Sequence, residues 1–151
     1  QVIEKMTQII EAVEDSPLIV VPQNAPHVRT KRFITKSICY HAATMANDIK
    51  AKAISTLTNS GYTAFQISAW RPQAHILVYT SNKRILTQLN LLWGVKAFYY
   101  DKFVSTDDTV DDINAIAKDN GFVQTGDMLI NLVAMPIVDK GMVNTLRISE
   151  I

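Results

Sequence analysis

Apolar residues follow two different periods along this chain, and these periods predict alternating strands and helices. Short apolar runs that are typical of buried strands lie at 51–57, 76–79, 95–99, 128–134 and 142–151. Stretches with an apolar residue at every third or fourth position predict helices before and between these runs. The helices are expected at 1–15, 35–49, 63–70, 82–93 and 105–120.

The order of these elements predicts a three-layer α/β fold. The strand at 51–57, the helix at 63–70 and the strand at 76–79 follow one another closely enough to form a right-handed parallel unit. The connection from Met135 to Gly141 is short, so the last two strands should be antiparallel neighbours. We therefore predict helices on both faces of a mixed five-stranded sheet.

Polar residues near the helix starts predict how the helices are capped. Thr35 is expected to cap the second helix, and Thr63 with Gln66 fits a capping box at the start of the third. Ser81 or Asn82 should cap the fourth helix, and Ser105 or Thr106 should start the fifth. The capping box places the start of the third helix near Thr63.

The turn after the strand at 51–57 carries the candidate site. It reads Thr-Asn-Ser-Gly-Tyr-Thr from Thr58 to Thr63. Gly61 permits a backbone conformation that a side chain would resist, and the following helix offers free N–H groups and the positive end of its dipole. Together with the hydroxyls these features suit phosphate, and a plain capped turn without a ligand is the alternative. The Gly-Lys-Thr/Ser triplet of a P-loop is missing.

Residue types used in catalysis and metal binding do not form a convincing site. Cys39 and His41 are sequence neighbours on a helix and therefore point to different sides, so we interpret Cys39 as a core residue. The acids of Asp107–Asp112 are better explained by the positive end of a helix than by a calcium loop. Arg29, Lys31, Arg32 and Lys36 form a basic cluster, which we interpret as a solvent-exposed positive patch.

Length, net charge, cysteine content and the lengths of apolar runs limit the classes of protein to which this chain can belong. A length of 151 residues fits one domain, and a net charge of +1 gives no electrostatic case for nucleic acid or an anionic membrane as a partner. Cys39 is the single cysteine, which fits a reducing, cytoplasmic environment. No apolar run approaches the roughly 20 residues that span a bilayer. The chain begins at Gln1 without a secretory signal pattern, and we interpret it as a fragment or a processed product.

Short motifs follow one another at set spacings from roughly Thr35 to Ile151. The main members of this series are Lys50–Ile54, Thr58–Ala64, Arg71–Pro72, Thr80–Asn82, Trp93–Val95 and Asn144–Ile148. The ordered series resembles the C-terminal domain of pyruvate kinase. This resemblance implies strand order 3-2-1-4-5 with the last strand antiparallel. It also implies that residues 1–15 are the last helix of a catalytic barrel, that 16–34 form a linker, and that 35–151 are the C-terminal domain.

The same resemblance implies a function for the parent protein. Pyruvate kinase transfers a phosphoryl group from phosphoenolpyruvate to ADP with magnesium and potassium, and its catalytic residues belong to the barrel. This chain alone is therefore expected to be inactive, without a cofactor or metal of its own. It should act as a regulatory and oligomerisation domain that contacts its own barrel and forms dimers within a tetrameric parent. A stand-alone phosphate-binding module and a purely structural assembly domain are the alternatives.

In many pyruvate kinases this domain binds a phosphosugar effector at the turn that matches residues 58–63. By that resemblance the expected phosphate ligands are Thr58, Asn59, Ser60, Gly61 and Thr63, with Lys140 as a further candidate. Tyr62 replaces a basic residue of some eukaryotic members. The segments 101–112 and 136–141 lack the tryptophan, the arginine and the glycine-rich loop that hold the second phosphate in those members.

Overall fold

The structure is a computed structural model, and it describes residues 1–14, 16, 32–102, 105–137 and 141–151. Helices and strands alternate through most of this range. The helices are α1 (Val2–Glu14), α2 (Phe33–Asp48), α3 (Tyr62–Ala69), α4 (Lys83–Leu89) and α5 (Thr106–Asp119). The strands are β1 (Ala53–Leu57), β2 (His75–Thr80), β3 (Val95–Tyr99), β4 (Met128–Val133) and β5 (Thr145–Glu150).

The five strands form one mixed sheet in the order β3-β2-β1-β4-β5. Strand β1 is central and pairs in parallel with β2 and with β4, so that Ala53 lies opposite both His75 and Leu129. Strands β2 and β3 are also parallel, whereas β4 and β5 are antiparallel. The predicted strand order and the predicted direction of the last strand are both confirmed.

Alternate residues of the central strands build two separate cores. In β2, Ile76 and Val78 pack with α2, α3 and α4 on one face of the sheet. Leu77 and Tyr79 pack with Ile113 and other residues of α5 on the opposite face. Because both faces are covered, the strand has an unbroken apolar run from Ile76 to Tyr79 rather than an apolar residue at every second position. The helices therefore form the two outer layers that the sequence predicts.

Two predicted helix caps are wrong. Helix α2 begins at Phe33, and Thr35 lies inside it, where its buried Oγ1 donates a hydrogen bond of 3.1 Å to the carbonyl oxygen of Val143. Helix α3 begins at Tyr62 after Gly61, and no side chain caps it, so the predicted capping box is not formed. In both places the helix begins before the threonine, which therefore lies within the first turn and is buried instead of serving as the cap.

The predicted caps of the other two helices are confirmed. The Oδ1 atom of Asn82 accepts a hydrogen bond of 3.1 Å from the N–H of Arg84 at the start of α4. At the start of α5, Ser105 Oγ accepts a bond of 3.1 Å from the N–H of Asp108. Asp107 and Asp108 lie in the first turn of α5, where carboxylates interact favourably with the positive end of the helix.

Helix α1 presents an apolar stripe to solvent in this chain. Its large apolar residues are between 51% and 79% exposed, and none of its residues is buried. A hydrogen bond of 2.6 Å from Trp93 Nε1 to Glu14 Oε1 connects the end of α1 with the segment before β3. The predicted linker 16–34 lies largely outside the described residues, and its last two positions belong to α2. The assignment of α1 to a catalytic barrel stays a prediction.

Candidate phosphate-binding site

The candidate site lies where the direction of the chain through the sheet reverses. From β1 the chain continues to β2 on one side, whereas its neighbour on the other side, β4, follows much later in sequence. In open α/β sheets, ligands bind in the crevice that such a reversal leaves beyond the carboxyl ends of the strands. Strands β1 and β4 end at Leu57 and Val133, at the same edge of the sheet because they are parallel.

A cavity of about 370 Å³ occupies this crevice. The turn that follows β1 and the first turn of α3 form one wall, and the start of α2 forms a second. The segment between β4 and β5 supplies a largely apolar wall that includes Ile137, Met142 and Val143. The cavity thus combines a polar end with an apolar end, as small-molecule sites commonly do.

Four of the five predicted turn residues line the cavity. They are Thr58, Asn59, Ser60 and Thr63. Gly61 lines an adjoining groove between α3 and α4 instead. The further candidate, Lys140, lies outside the described residues. The structure therefore brings most of the predicted residues together around one cavity.

Hydrogen bonds hold the turn in place from both sides. The N–H of Gly61 donates to Thr58 Oγ1 at 3.0 Å, and the N–H of Thr58 donates to the carbonyl oxygen of Tyr79 at 3.0 Å. Asn82 Nδ2 donates to the carbonyl oxygen of Asn59 at 3.1 Å, which connects the turn to the start of α4. A turn fixed in this way presents its polar groups without a large ordering cost on binding.

Gly61 is required by the backbone of the turn. Its φ of +78° lies in the left-handed region, which side chains rarely adopt. A Cβ atom at this position would also lie 3.2 Å from Leu89 Cδ2. The glycine therefore sets the geometry of the site although it does not face the cavity.

Several hydrogen-bond donors near the polar end have no acceptor in the described part of the chain. The side chain of Thr63 is only 5% exposed and lines the cavity, yet its hydroxyl makes no hydrogen bond with any described residue. Within the same part of the chain, no group accepts from the backbone N–H of Tyr62, Thr63 or Ala64, the first three residues of α3. The N–H groups of a first helical turn have no acceptor within their own helix, so they and the Thr63 hydroxyl can bond to a ligand or to water.

Arg32 lines the cavity, although the sequence analysis did not assign it to the site. Its guanidinium carbon lies 4.2 Å from the centre of the Tyr62 ring, and both side chains line the cavity. Arg32 precedes α2 and is distant in sequence from the turn at 58–63. The basic cluster around Arg32 was the available signal, but only the packing of α2 beside α3 shows that Arg32 reaches the site.

The described residues with raised pKa values include Cys39, Tyr79 and Tyr100, which do not line the cavity. Burial raises the pKa of the Cys39 thiol to about 12, so this cysteine stays protonated near neutral pH. Burial also raises the pKa of Tyr79 and is the largest cause of a raised pKa at Tyr100. Over 1–14, 16, 32–102, 105–137 and 141–151, no three His, Cys, Asp or Glu residues are grouped as metal ligands are.

None of the helices in the described ranges combines the length and the apolar composition needed to cross a membrane.

Comparisons with known proteins agree on one family. Residues 36–149 match the family described as "Pyruvate kinase, alpha/beta domain". The pyruvate kinase of Lactobacillus delbrueckii subsp. bulgaricus is 32% identical over 118 residues, which are 78% of this chain and 20% of that protein. The pyruvate kinase of Lactococcus lactis subsp. lactis is 33% identical over 126 residues, or 83% of this chain and 25% of the relative.

Solved structures show the same fold. A crystal structure of a pyruvate kinase from Cryptosporidium parvum superposes with a TM-score of 0.71 and 24% identity. The superposition covers 84% of this chain and 23% of that protein. This chain thus spans about a fifth to a quarter of the length of the pyruvate kinases that it matches.

Proposed function

This chain belongs to the family of pyruvate kinase alpha/beta domains, and from that membership we propose that it is the regulatory and assembly domain of a pyruvate kinase. In this proposal the cavity beside β1 binds an effector that carries a phosphate group. The parent enzyme transfers a phosphoryl group from phosphoenolpyruvate to ADP in the cytoplasm, with magnesium and potassium. The catalytic groups and the metals belong to the part of the parent outside this domain.

The observation that carries the effector proposal is the set of unpartnered donors at the start of α3. Thr63 is 5% exposed and lines the cavity at the reversal point of the sheet, and no described residue accepts from its hydroxyl or from the N–H groups of the first three residues of α3. Phosphate oxygens accept several hydrogen bonds at once and are stabilised by the positive end of a helix. The hydroxyls of Thr58 and Ser60 line the same end of the cavity and add further donors.

Thermal unfolding of the purified chain with inorganic phosphate and with glucose 6-phosphate tests the effector site. A ligand at about 100 times its Kd should stabilise the fold by roughly 2.7 kcal/mol. The variant Thr63→Val keeps the shape of the side chain and removes its hydroxyl, so it should reduce this stabilisation. Thr44→Val is the matched control, because Thr44 is exposed and bonds to the carbonyl oxygen of Tyr40 at 3.1 Å on the outside of α2.

Two outcomes would contradict the effector proposal. Stabilisation of the same size in the wild type and in a Thr63→Val/Ser60→Ala double variant would place the ligand elsewhere. No stabilisation by either compound would favour a purely structural assembly domain over a regulatory one.

We also propose that this chain alone does not transfer phosphoryl groups. A lactate dehydrogenase-coupled assay with phosphoenolpyruvate, ADP, magnesium and potassium should show no turnover above a heat-inactivated control. Activity that stays with the chain through a second purification would refute this proposal.

A further inference from the structure

We propose that Arg32 is a specificity-determining residue of the cavity beside β1, where its guanidinium binds the phosphate group of a phosphomonoester. The inference rests on the proposed function, because it assigns the side chain that supplies positive charge to the same site. It also gives a role to Tyr62, which holds the guanidinium beside the start of α3.

The position of Arg32 depends on contact between two helices. Arg32 is the residue that precedes α2, and Tyr62 is the first residue of α3. The guanidinium carbon lies 4.2 Å from the centre of the Tyr62 ring, a distance typical of a cation–π contact. A guanidinium that stacks on a ring keeps the N–H donors of its edge available for an oxyanion. The stack thus holds a cation, supplied by the residue before α2, at the cavity that Tyr62 and Thr63 of α3 also line.

Arg32 has no acidic partner in the described ranges. No carboxylate there lies within ion-pair distance of its guanidinium, and the side chain is exposed. Among the lining residues that the structure describes, Arg32 is also the only one that carries a charge. The guanidinium of Arg32 gives the cavity a positive charge. An anion is therefore the ligand that this charge selects.

The hydrogen-bond donors near Arg32 favour an anion that has several acceptor oxygens. The Thr63 hydroxyl and the N–H groups of the first three residues of α3 have no acceptor among the residues that the structure describes. A phosphomonoester has three terminal oxygens, so it can accept from these donors and from a guanidinium edge at the same time. The apolar wall of Ile137, Met142 and Val143 then faces the organic part of the ligand.

Titration of the 151-residue chain by isothermal calorimetry, or by NMR where binding is weak, tests Arg32 directly. The probes are glucose 6-phosphate, inorganic phosphate and, as the neutral counterpart, glucose. Arg32→Gln should raise the Kd for glucose 6-phosphate about tenfold, because a charge-assisted hydrogen bond is lost at a partly exposed site. Arg32→Lys should be intermediate, since it keeps the charge but loses the planar fork. The response to glucose should not change.

A matched variant separates a local effect from a change in net charge. Lys118→Gln removes one positive charge from α5, which packs on the opposite face of the sheet. It should leave the Kd for glucose 6-phosphate unchanged. Raising the salt concentration should weaken binding more in the wild type than in Arg32→Gln, because only the wild type keeps the guanidinium–phosphate pair.

Tyr62 is tested as a positioning residue through its dependence on Arg32. Tyr62→Leu should weaken glucose 6-phosphate binding about threefold in the wild type and have no further effect in Arg32→Gln. Tyr62→Phe retains the ring and should restore wild-type binding. Equal effects of Tyr62→Leu with and without Arg32 would show that the tyrosine acts independently.

The outcomes distinguish this inference from the proposed function. Suppose that the wild type binds glucose 6-phosphate, but that Arg32→Gln lowers the affinity less than about threefold, or no more than Lys118→Gln does. The role of Arg32 is then overturned, whereas the proposed phosphate site remains. If the wild type binds neither glucose 6-phosphate nor inorganic phosphate, the proposed site is overturned and the role of Arg32 with it.

Discussion

At the scale of single residues, Cys39 shows how its surroundings decide the chemistry of a side chain. It is fully buried between the sheet and α2, near Ala42 and Ala46. Burial raises the pKa of its thiol from 9.0 to about 12 because the thiolate would lose its hydration. The thiol therefore behaves as a small apolar group, in agreement with the sequence analysis.

The raised pKa of Cys39 predicts a loss of stability at alkaline pH. The unfolded chain releases the thiol proton near pH 9, whereas the folded chain holds it to about pH 12. The contribution is thus fully present below pH 9 and is lost as pH rises from 9 to 12, by at most about 1.4 kcal/mol per pH unit. Urea unfolding from pH 8 to 10.5 should show a shallower decline for Cys39→Ala than for the wild type. Parallel pH profiles would contradict the assignment.

Residues in contact across large sequence distances could not be predicted from local patterns. The threonines of α2 and α3 resemble caps in the sequence, but Thr35 bonds to Val143 and Thr63 faces the cavity. The contact between Arg32 and Tyr62 likewise joins two separate helices. A hydroxyl or a guanidinium can bond to any neighbour that the tertiary fold places beside it. Short-range spacing in the sequence does not identify that neighbour.

At the scale of elements, the strands were the most predictable part of the fold. Each buried strand is a short apolar run between turn residues, and β3 was predicted with its observed bounds, Val95–Tyr99. Their order in the sheet was not available from periodicity and came from the resemblance to a known domain. Helix ends were predictable only where the capping side chain acts locally, as Asn82 and Ser105 do.

Helix α5 allows a direct measurement of one local cap. Ser105 Oγ accepts from the N–H of Asp108 at 3.1 Å and also donates to Asp108 Oδ2 at 2.7 Å. Ser105→Ala should lower the free energy of unfolding by about 1 kcal/mol. Ser37→Ala, inside α2, is the control and should cost little, because alanine is the better helix former. Unfolding curves of Ser105→Ala that match the wild type would show that the cap contributes nothing.

At the scale of the whole molecule, the free edge of β5 is the surface that we propose for self-assembly. Strand β5 pairs with β4 on one side, and Ile148 is 43% exposed although it lies opposite buried Ile130. An exposed edge with apolar side chains favours pairing with another strand. Two copies related by a two-fold axis would each present the same edge to the other.

A charge at this edge should prevent assembly. We expect the wild type to sediment as a dimer at high micromolar concentration and Ile148→Lys to sediment as a monomer, because two lysines would meet near the axis. Leu91→Lys is the matched control, since Leu91 is 86% exposed and lies just before β3, at the other end of the sheet. A monomeric wild type would refute the proposed assembly surface. A dimeric Ile148→Lys variant would show that the interface lies on the helices instead.

The central position of β1 also has a consequence for the order of events during synthesis. Ala53 can pair with His75 soon after both have been made, but its partner on the other side, Leu129, is translated much later. Closing a loop of that length is slow and costs entropy. A nascent chain interrupted before Met128 would keep one edge of its central strand unpaired and would lack the far wall of the cavity. The ribosome must therefore pass β4 before the polypeptide can form the complete cavity.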